Sequence, residues 1–201
     1  MEKAMNLPEL CFTINPQEMS FYTTLLQSGI EIKCQPNEPV ARFLARLPGF
    51  TVNYIADAIQ TIFLNGTAVD DLTIPLSGKK PILALSAAMP GLAGAIFRRN
   101  SFHAALRTPP ARINSEHLET KQITVTLKLF NSIASERGPE LLHKSITIKT
   151  GHLLNFLAKR PSLFSQIKQH VLSGKIVNKE ELPSLLADFP RLKLKLTTTH
   201  D

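Results

Sequence analysis

The chain has 201 residues and a hydrophobic fraction of 43%, which can fill the core of one large or two small domains and excludes a largely disordered protein. It contains no Trp and only two Tyr, so aromatic platforms for stacking bases are scarce. The net charge of +7 lies almost wholly in the residues after 108. A basic half of this kind favours an acidic partner, a nucleic acid or an anionic surface, unless it is simply a solvated face.

Cysteine usage and the termini indicate the compartment. Cys11 and Cys34 have no metal-ligand or redox spacing, so we expect buried, reduced thiols in a cytoplasmic protein. The N-terminus lacks the pattern of a signal peptide. The uncharged run at 81–97 is at the lower limit of the ~17–25 residues that a spanning helix needs. Pro90 and two glycines interrupt it, so we expect no membrane span.

In the first half, apolar periodicity and cap residues predict the order strand, helix, strand, helix, strand, strand. The expected strands are 10–14, 30–34, 59–66 and 82–88, and the expected helices begin at Asn15-Pro16 and at Pro39. Asn65-Gly66 predicts a tight turn because both residues readily adopt positive φ. Residues 98–121 carry several arginines and Pro109-Pro110, which is typical of a linker or arm.

A similar pattern begins again after residue 122. Strands are expected at 123–129, 146–149 and 192–196, and helices are expected from Asn131, over 153–157, around Phe164, Ile167 and Val171, and over 180–189. Aligning the halves places Asn15 on Asn131 and the Asn65 turn on Asn178. We interpret the recurrence as an internal duplication, with chance agreement between two ordinary α+β halves as the alternative.

Each half therefore has the order β-α-β-α-β-β, with helices expected on one side of a small mixed sheet. This order, together with Phe63-Leu64-Asn65-Gly66, Leu76-Ser77-Gly78 and Ile82-Leu83-Ala84-Leu85, resembles the ubiquitin-like β-grasp fold, and more closely its bacterial sulfur-carrier branch. The resemblance implies an α+β protein with two tandem ubiquitin-like β-grasp units at 8–98 and 122–198, joined by a linker at 99–121.

The resemblance does not extend to the carrier chemistry. Sulfur carriers end at a free Gly-Gly, whose terminal carboxylate is activated, and this chain contains no Gly-Gly dipeptide. Carrier chemistry here would require cleavage after Gly94 or near Arg99.

The first candidate site is the exit from the first unit, where a glycine-rich stretch precedes two arginines. Its residues are Met89, Pro90, Gly91, Gly94, Arg98 and Arg99. Partners commonly bind ubiquitin-like proteins through an exposed apolar sheet face or through the tail after the last strand, so the resemblance implies protein interaction here. Glycine N–H groups and arginines are also suited to a phosphate, and a simple tight turn is the third interpretation.

The second candidate site is a basic sheet face formed by Lys128, Lys149, Lys193 and Lys195. If the strands pair as in a β-grasp, Lys128 lies close to Lys193 or Lys195, and the cluster could bind nucleic-acid phosphates with salt-dependent affinity. No aromatic residues are interleaved for base stacking. Lysines on an open sheet face also prevent edge-to-edge aggregation, which is the alternative interpretation.

We find no catalytic constellation, metal-ligand spacing or cofactor motif in the sequence. Asp70-Asp71 is expected to form a turn pair, and the six histidines are scattered. We therefore expect a non-enzymatic ubiquitin-like interaction module that binds another protein and carries no cofactor. The alternatives are nucleic-acid or anion binding through the basic second half, and a processed sulfur carrier or ubiquitin-like modifier.

Overall fold

The computed structural model describes residues 7–107 and 122–199. Its strands are β1 (Glu9–Ile14), β2 (Ile30–Cys34), β3 (Glu38–Pro39), β4 (Thr61–Leu64), β5 (Thr67–Ala68), β6 (Pro75–Leu76), β7 (Ile82–Ser86), β8 (Ile123–Leu129), β9 (Ile146–Lys149), β10 (Gln169–Leu172), β11 (Lys175–Ile176) and β12 (Arg191–Thr198). Its α-helices are α1 (Met19–Thr23), α2 (Val40–Ala45), α3 (Val52–Asp57), α4 (Gly91–Phe97), α5 (Asn131–Lys144), α6 (Thr150–Ala158), α7 (Pro161–Gln166) and α8 (Leu182–Leu186). Short 3₁₀ helices cover Pro16–Glu18, Thr24–Ser28 and Phe102–Leu106.

The protein is α+β, with mixed sheet structure and several helices, and it divides into two compact units. The discontinuous unit comprises Met1–Ile30 and Pro139–Asp201, and the continuous unit comprises Glu31–Gly138. The division falls at the first residue of β2 and inside α5. These bounds differ from the predicted domains at 8–98 and 122–198.

The discontinuous unit contains five strands in the order β11-β10-β1-β12-β9. β1 is parallel to β12 and antiparallel to β10, and β12 is antiparallel to β9. Alternate residues of β1 and β12 point into the core and are fully buried; they are Leu10, Phe12, Ile14, Leu192, Leu194 and Leu196. Helices cover this face, where the Tyr22 ring of α1 lies 5.8 Å from the Phe156 ring of α6.

The continuous unit contains the strand order β2-β8-β7-β4-β5 and a separate β3–β6 pair. β7 is parallel to β8 and antiparallel to β4. The core-facing residues of these three strands are buried, and α2 contributes Val40, Phe43 and Leu44 to the same core. The opposite face of β4, β7 and β8 is the open face of this unit, and it includes Phe63, Ile82, Ala84 and Lys128.

The structure confirms the predicted turn at Asn65-Gly66 and the predicted helix start at Asn15-Pro16, both of which depend on a few neighbouring residues. Asn65 and Gly66 both have positive φ, as the turn prediction requires. Asn15 accepts a hydrogen bond from the backbone N–H of Gln17, and Glu18 completes a capping box. Thr51 is the N-cap of α3, and its side chain accepts a hydrogen bond from the backbone N–H of Tyr54.

Each unit combines strands from both halves of the sequence, which the tandem prediction did not anticipate. That prediction requires β1 beside β7 and β8 beside β12, whereas the parallel pairs are β1 with β12 and β7 with β8. The tandem arrangement of two β-grasp units is therefore not confirmed. Strands β1 and β8 bury alternate residues in the same way, so their apolar pattern specifies which face is buried and leaves the partner strand open.

Two further sequence expectations need correction. The predicted helix through Val171 ends with α7, and Val171 lies in β10, where it pairs with Cys11 of β1. The turn after β10 is Ser173-Gly174, whose positive φ values match those of Asn65-Gly66, so the counterpart of that turn is not at Asn178. Residues 99–107 of the predicted linker are folded in the continuous unit, and residues 108–121 lie outside the described part of the chain.

His170 of β10 is buried in the discontinuous unit between two aromatic rings. The Phe12 ring centroid is 5.2 Å away and that of Phe164 is 5.6 Å away, both with their planes nearly perpendicular to the imidazole. Nε2 has no hydrogen-bond partner among the described residues. Burial lowers the pKa of His170 below its ordinary value of 6.5, and the positive charge of Lys179 lowers it further, while Glu180 opposes this shift.

We expect His170 to make the fold sensitive to acid. Because its folded pKa is depressed, the unfolded chain binds the proton first as the pH falls, and the free energy of unfolding decreases below about pH 6.5 until the folded pKa is reached. Denaturant unfolding of His170→Leu should show a smaller loss of stability between about pH 7 and pH 5 than the wild type. The exposed His103→Gln is the control and should keep the wild-type slope; equal slopes for all three proteins would contradict the prediction.

Candidate groove on the open sheet face

Strands β4 and β7 place apolar residues on both faces, which leaves an apolar area on the open face. In β7, Leu83 and Leu85 point into the core, and Ile82 and Ala84 point to the open face. The parallel register sets Ala84 opposite Lys128 of β8. Phe63 lies beside Ala84 on β4. An open face built from such residues is unusual for a sheet side that water reaches, where alternation normally brings polar side chains.

These side chains line a groove of about 510 Å³ within the continuous unit. Most of the lining is apolar; its residues are Phe63, Gly66, Ile82, Ala84, Leu85, Ser86, Met89, Lys128, Phe130 and Asn131. The volume falls within the range of about 300–1,000 Å³ typical of ligand clefts. Ile82 is 42% exposed at this surface, so the groove is accessible from solvent.

The polar groups of the groove are few and have distinct roles. Asn131 begins α5 with a φ of 51°, and its Nδ2 donates a 2.9 Å hydrogen bond to Ser86 Oγ. This bond fixes the start of α5 against the end of β7. Lys128 is half-buried, and within the described ranges no carboxylate or hydrogen-bond acceptor pairs with its ammonium group.

Of the predicted exit residues, Met89 lines the groove, while the others lie in or beside a helix rather than in a free tail. Pro90 is the N-cap of α4, Gly91 begins the helix, and Phe97 at its end packs against Phe63 with ring centroids 5.3 Å apart. Gly94 is buried, and a Cβ there would overlap the Met89 carbonyl oxygen. The segment thus covers part of the open face.

The predicted arginines hold this segment in place. Arg98 Nε donates to Gln60 Oε1 at 2.9 Å. Arg99 Nη1 donates to the carbonyl oxygens of Ile55 and Ile59, at 2.9 and 3.1 Å. Arg99 Nη1 is thus directed at backbone carbonyl oxygens, and a glycine–arginine anion site stays a prediction.

Arg107 is a positioning residue that sequence reasoning missed. Its guanidinium donates to the carbonyl oxygens of Ile96 and Arg98, at 2.9 and 2.6 Å, and to Asp70 Oδ2 at 2.8 Å. Its side chain is only 11% exposed. Arg107 therefore ties the end of α4 and the following 3₁₀ helix to the turn at Asp70.

The residues of the predicted basic cluster are divided between the two units. Lys128 belongs to the continuous unit, and Lys149, Lys193 and Lys195 belong to the discontinuous unit. The expected pairing of their strands is wrong, since β8 pairs with β7 and β12 pairs with β1 and β9. Lys193 and Lys195 do share the outer face of β12, and Lys149 lies across from Arg191 at the end of that strand.

The remaining titratable candidates have structural partners. Asp71 accepts from the N–H and hydroxyl of Thr73, and these hydrogen bonds lower its pKa. Cys34 is buried, as predicted, and its Sγ lies 3.1 Å from Glu38 Oε2, while Cys11 is partly exposed. Burial, reinforced by Glu38, raises the pKa of the Cys34 thiol to about 12, so it is no nucleophile near neutral pH.

Residues 7–107 and 122–199 contain no group of three or more His, Cys, Asp or Glu side chains placed to hold a metal ion. Over the same ranges, no helix combines the length and apolarity needed to span a membrane. No protein-family model, curated protein or solved structure matches the chain. The interpretation of the groove therefore depends on its own residues.

We expect Arg107→Met to destabilise α4 and the 3₁₀ helix after it. The change removes three hydrogen bonds of a nearly buried cation. Bonds to charged groups are each worth about 1.5–3 kcal/mol, and local opening of this segment should limit the total loss to about 2–4 kcal/mol. Amide hydrogen exchange at 91–106 should accelerate.

The control Arg42→Met removes an 80% exposed side chain and should change stability by less than about 0.5 kcal/mol. Unchanged exchange at 91–106 in Arg107→Met would contradict the anchoring role.

Proposed function

We propose that the chain is a non-enzymatic protein-interaction module whose groove on the open face of the continuous unit binds a partner protein. The single observation that carries this proposal is the apolar groove formed by Phe63, Ile82, Ala84, Met89 and Phe130. Contiguous apolar surface at a concave site costs solvation free energy unless a partner covers it. An exposed residue such as Ile82 at its edge is typical of an anchor position.

The groove lacks the groups that catalysis would need. Its lining offers one ammonium, one amide and one hydroxyl, and the Ser86 hydroxyl already accepts from Asn131. A nucleophile requires a base within hydrogen-bond reach, and the lining contains no imidazole, thiol or carboxylate. Binding is therefore the function that these side chains favour.

The fold supports the same class of function. We propose that the continuous unit is a ubiquitin-like β-grasp unit whose first strand, β8, comes from the second half of the sequence. In the continuous unit the order β2-β8-β7-β4-β5, with β7 parallel to β8, is the order of a β-grasp sheet with β8 in the place of the first strand. Partners commonly bind the open sheet face of such units, and the groove lies on that face.

The processed-carrier alternative has weaker support. It requires cleavage after Gly94, which lies inside α4, or near Arg99, whose side chain donates to backbone carbonyl oxygens. A carrier terminus must instead be free to enter the active site of an activating enzyme.

We expect Ile82→Asp to abolish partner binding, because it places a charge on the apolar edge of the groove. Val52→Asp is the matched control, since Val52 is 77% exposed in the same unit and does not line the groove. Affinity capture with the wild type and both variants should identify a protein retained by the wild type and Val52→Asp and lost by Ile82→Asp. Titration of that purified protein should show at least about a hundredfold weaker binding to Ile82→Asp.

Two results would contradict this proposal. One is a partner that binds Ile82→Asp as tightly as the wild type. The other is the absence of any protein whose capture depends on residue 82, provided that the variant keeps the wild-type thermal midpoint.

A second candidate function is anion or nucleic-acid binding on the outer face of β12. Arg191, Lys193 and Lys195 alternate along that face, and Lys149 pairs with Arg191 in the register of β9. Side chains two residues apart on one face of a strand are about 7 Å apart, so these cations form a row that could contact several phosphates of one strand. Glu9 lies opposite Lys193 and weakens this positive face.

We expect, if this face binds nucleic acid, that the affinity of the full chain for a single-stranded DNA probe falls with salt. The double variant Lys193→Glu, Lys195→Glu should lose roughly 0.7 of salt-dependence slope per lysine. The control Lys168→Glu, Lys175→Glu makes the same change in charge at exposed positions off this face. Equal affinity losses in the two double variants would indicate a nonspecific charge effect and contradict a site on β12.

A further inference from the structure

We propose that the groove of the continuous unit binds an acidic, apolar peptide segment, with a large apolar side chain held against Ile82 and Phe63 and a carboxylate held by Lys128. This inference rests on the proposed function and adds the chemistry of the partner. It is carried by the position and surroundings of Lys128.

Lys128 is the one charged side chain in the lining of the groove. The strand register sets it opposite Ala84, whose small side chain leaves the aliphatic stem of the lysine room on the apolar face. On the far side of Lys128, Phe130 continues the same face toward Asn131. Within the lining of the groove, Lys128 therefore has apolar neighbours and no second charged side chain.

The lining provides no negative charge for this ammonium group. No Asp or Glu contributes to the groove, and the ion pairs among the described residues are formed elsewhere. When a ligand covers the groove, Lys128 loses water, and burying an unpaired ammonium is unfavourable. A ligand carboxylate would compensate that loss with a charge-assisted hydrogen bond, and a ligand cation would add repulsion.

The shape of the surface favours a peptide segment over a small enclosed ligand. The groove opens to solvent at Ile82 and extends from β4 across β7 to β8 and the start of α5. A surface that spans three strands accommodates several consecutive residues of a partner. The side-chain amide of Asn131, at one end of the groove, can form further hydrogen bonds with a peptide backbone.

The test is selection from a displayed library of random peptides with the full-length protein as bait. The wild type should select peptides in which Asp or Glu lies within a few residues of a large apolar residue. Lys128→Glu should reverse the preference to Lys or Arg, and Lys128→Arg should retain the acidic preference. Lys33→Glu is the control, because Lys33 is an exposed lysine on β2 that lies outside the groove and donates a hydrogen bond to Thr124. The Lys33→Glu variant should select the same acidic peptides as the wild type.

A synthetic peptide from the wild-type selection should bind Lys128→Glu at least about tenfold more weakly and should bind Lys33→Glu normally. An unchanged acidic preference in Lys128→Glu, with selection still dependent on Ile82, would overturn the inference and leave the proposed function standing. Failure to select any peptide, together with saturable binding of decanoate in the groove, would assign the site to a small amphiphile and overturn both. Selection of apolar peptides without a charge preference would also overturn the inference.

Discussion

The parallel pairing of β7 with β8 is the constraint on which the continuous unit depends. The two strands lie on opposite sides of residues 98–121 in the sequence, and they are joined by hydrogen bonds such as Thr126 N–H to Pro81 O at 2.8 Å and Phe130 N–H to Leu85 O at 2.9 Å. The pairing closes the core on one face of the sheet. On the other face it sets Lys128 beside Ala84, so the chemistry of the groove is fixed by this register.

In and around the segment after β7, arginine side chains donate hydrogen bonds to backbone carbonyl oxygens of residues that are distant in the sequence. α4 is short and contains two glycines, so its intrinsic stability is low. Arg99 and Arg107 compensate by donating to carbonyl oxygens at the ends of neighbouring elements. The same helix packs Phe97 on Phe63, so the arginines indirectly shape one wall of the groove.

Features that depend on neighbouring residues could be predicted from the sequence, and features that depend on distant ones could not. The Asn65-Gly66 turn, the capping box at Asn15 and the burial of Cys34 follow from local conformation and period-two alternation. The helix α4 was missed because glycine and proline favour a turn, and the guanidinium contacts that stabilise it come from outside the helix. Val171 was placed in a helix because a short apolar run fits either period until its partner strand is known.

The sequence contains every residue of the groove, yet the groove could not be predicted from the sequence. The run Ile82-Leu83-Ala84-Leu85 is apolar at successive positions, which indicates burial on both faces, yet only Leu83 and Leu85 enter the core. The surplus apolar residues form a groove only when β8 brings Lys128 and Phe130 beside them, and β8 follows residues 98–121 in the sequence. A duplication that kept its halves separate would place β1 there instead, with Thr13 and Cys11 on the open face in place of Lys128. The pairing of β8 with β7 therefore creates a combination of apolar surface and single charge that neither strand contains by itself.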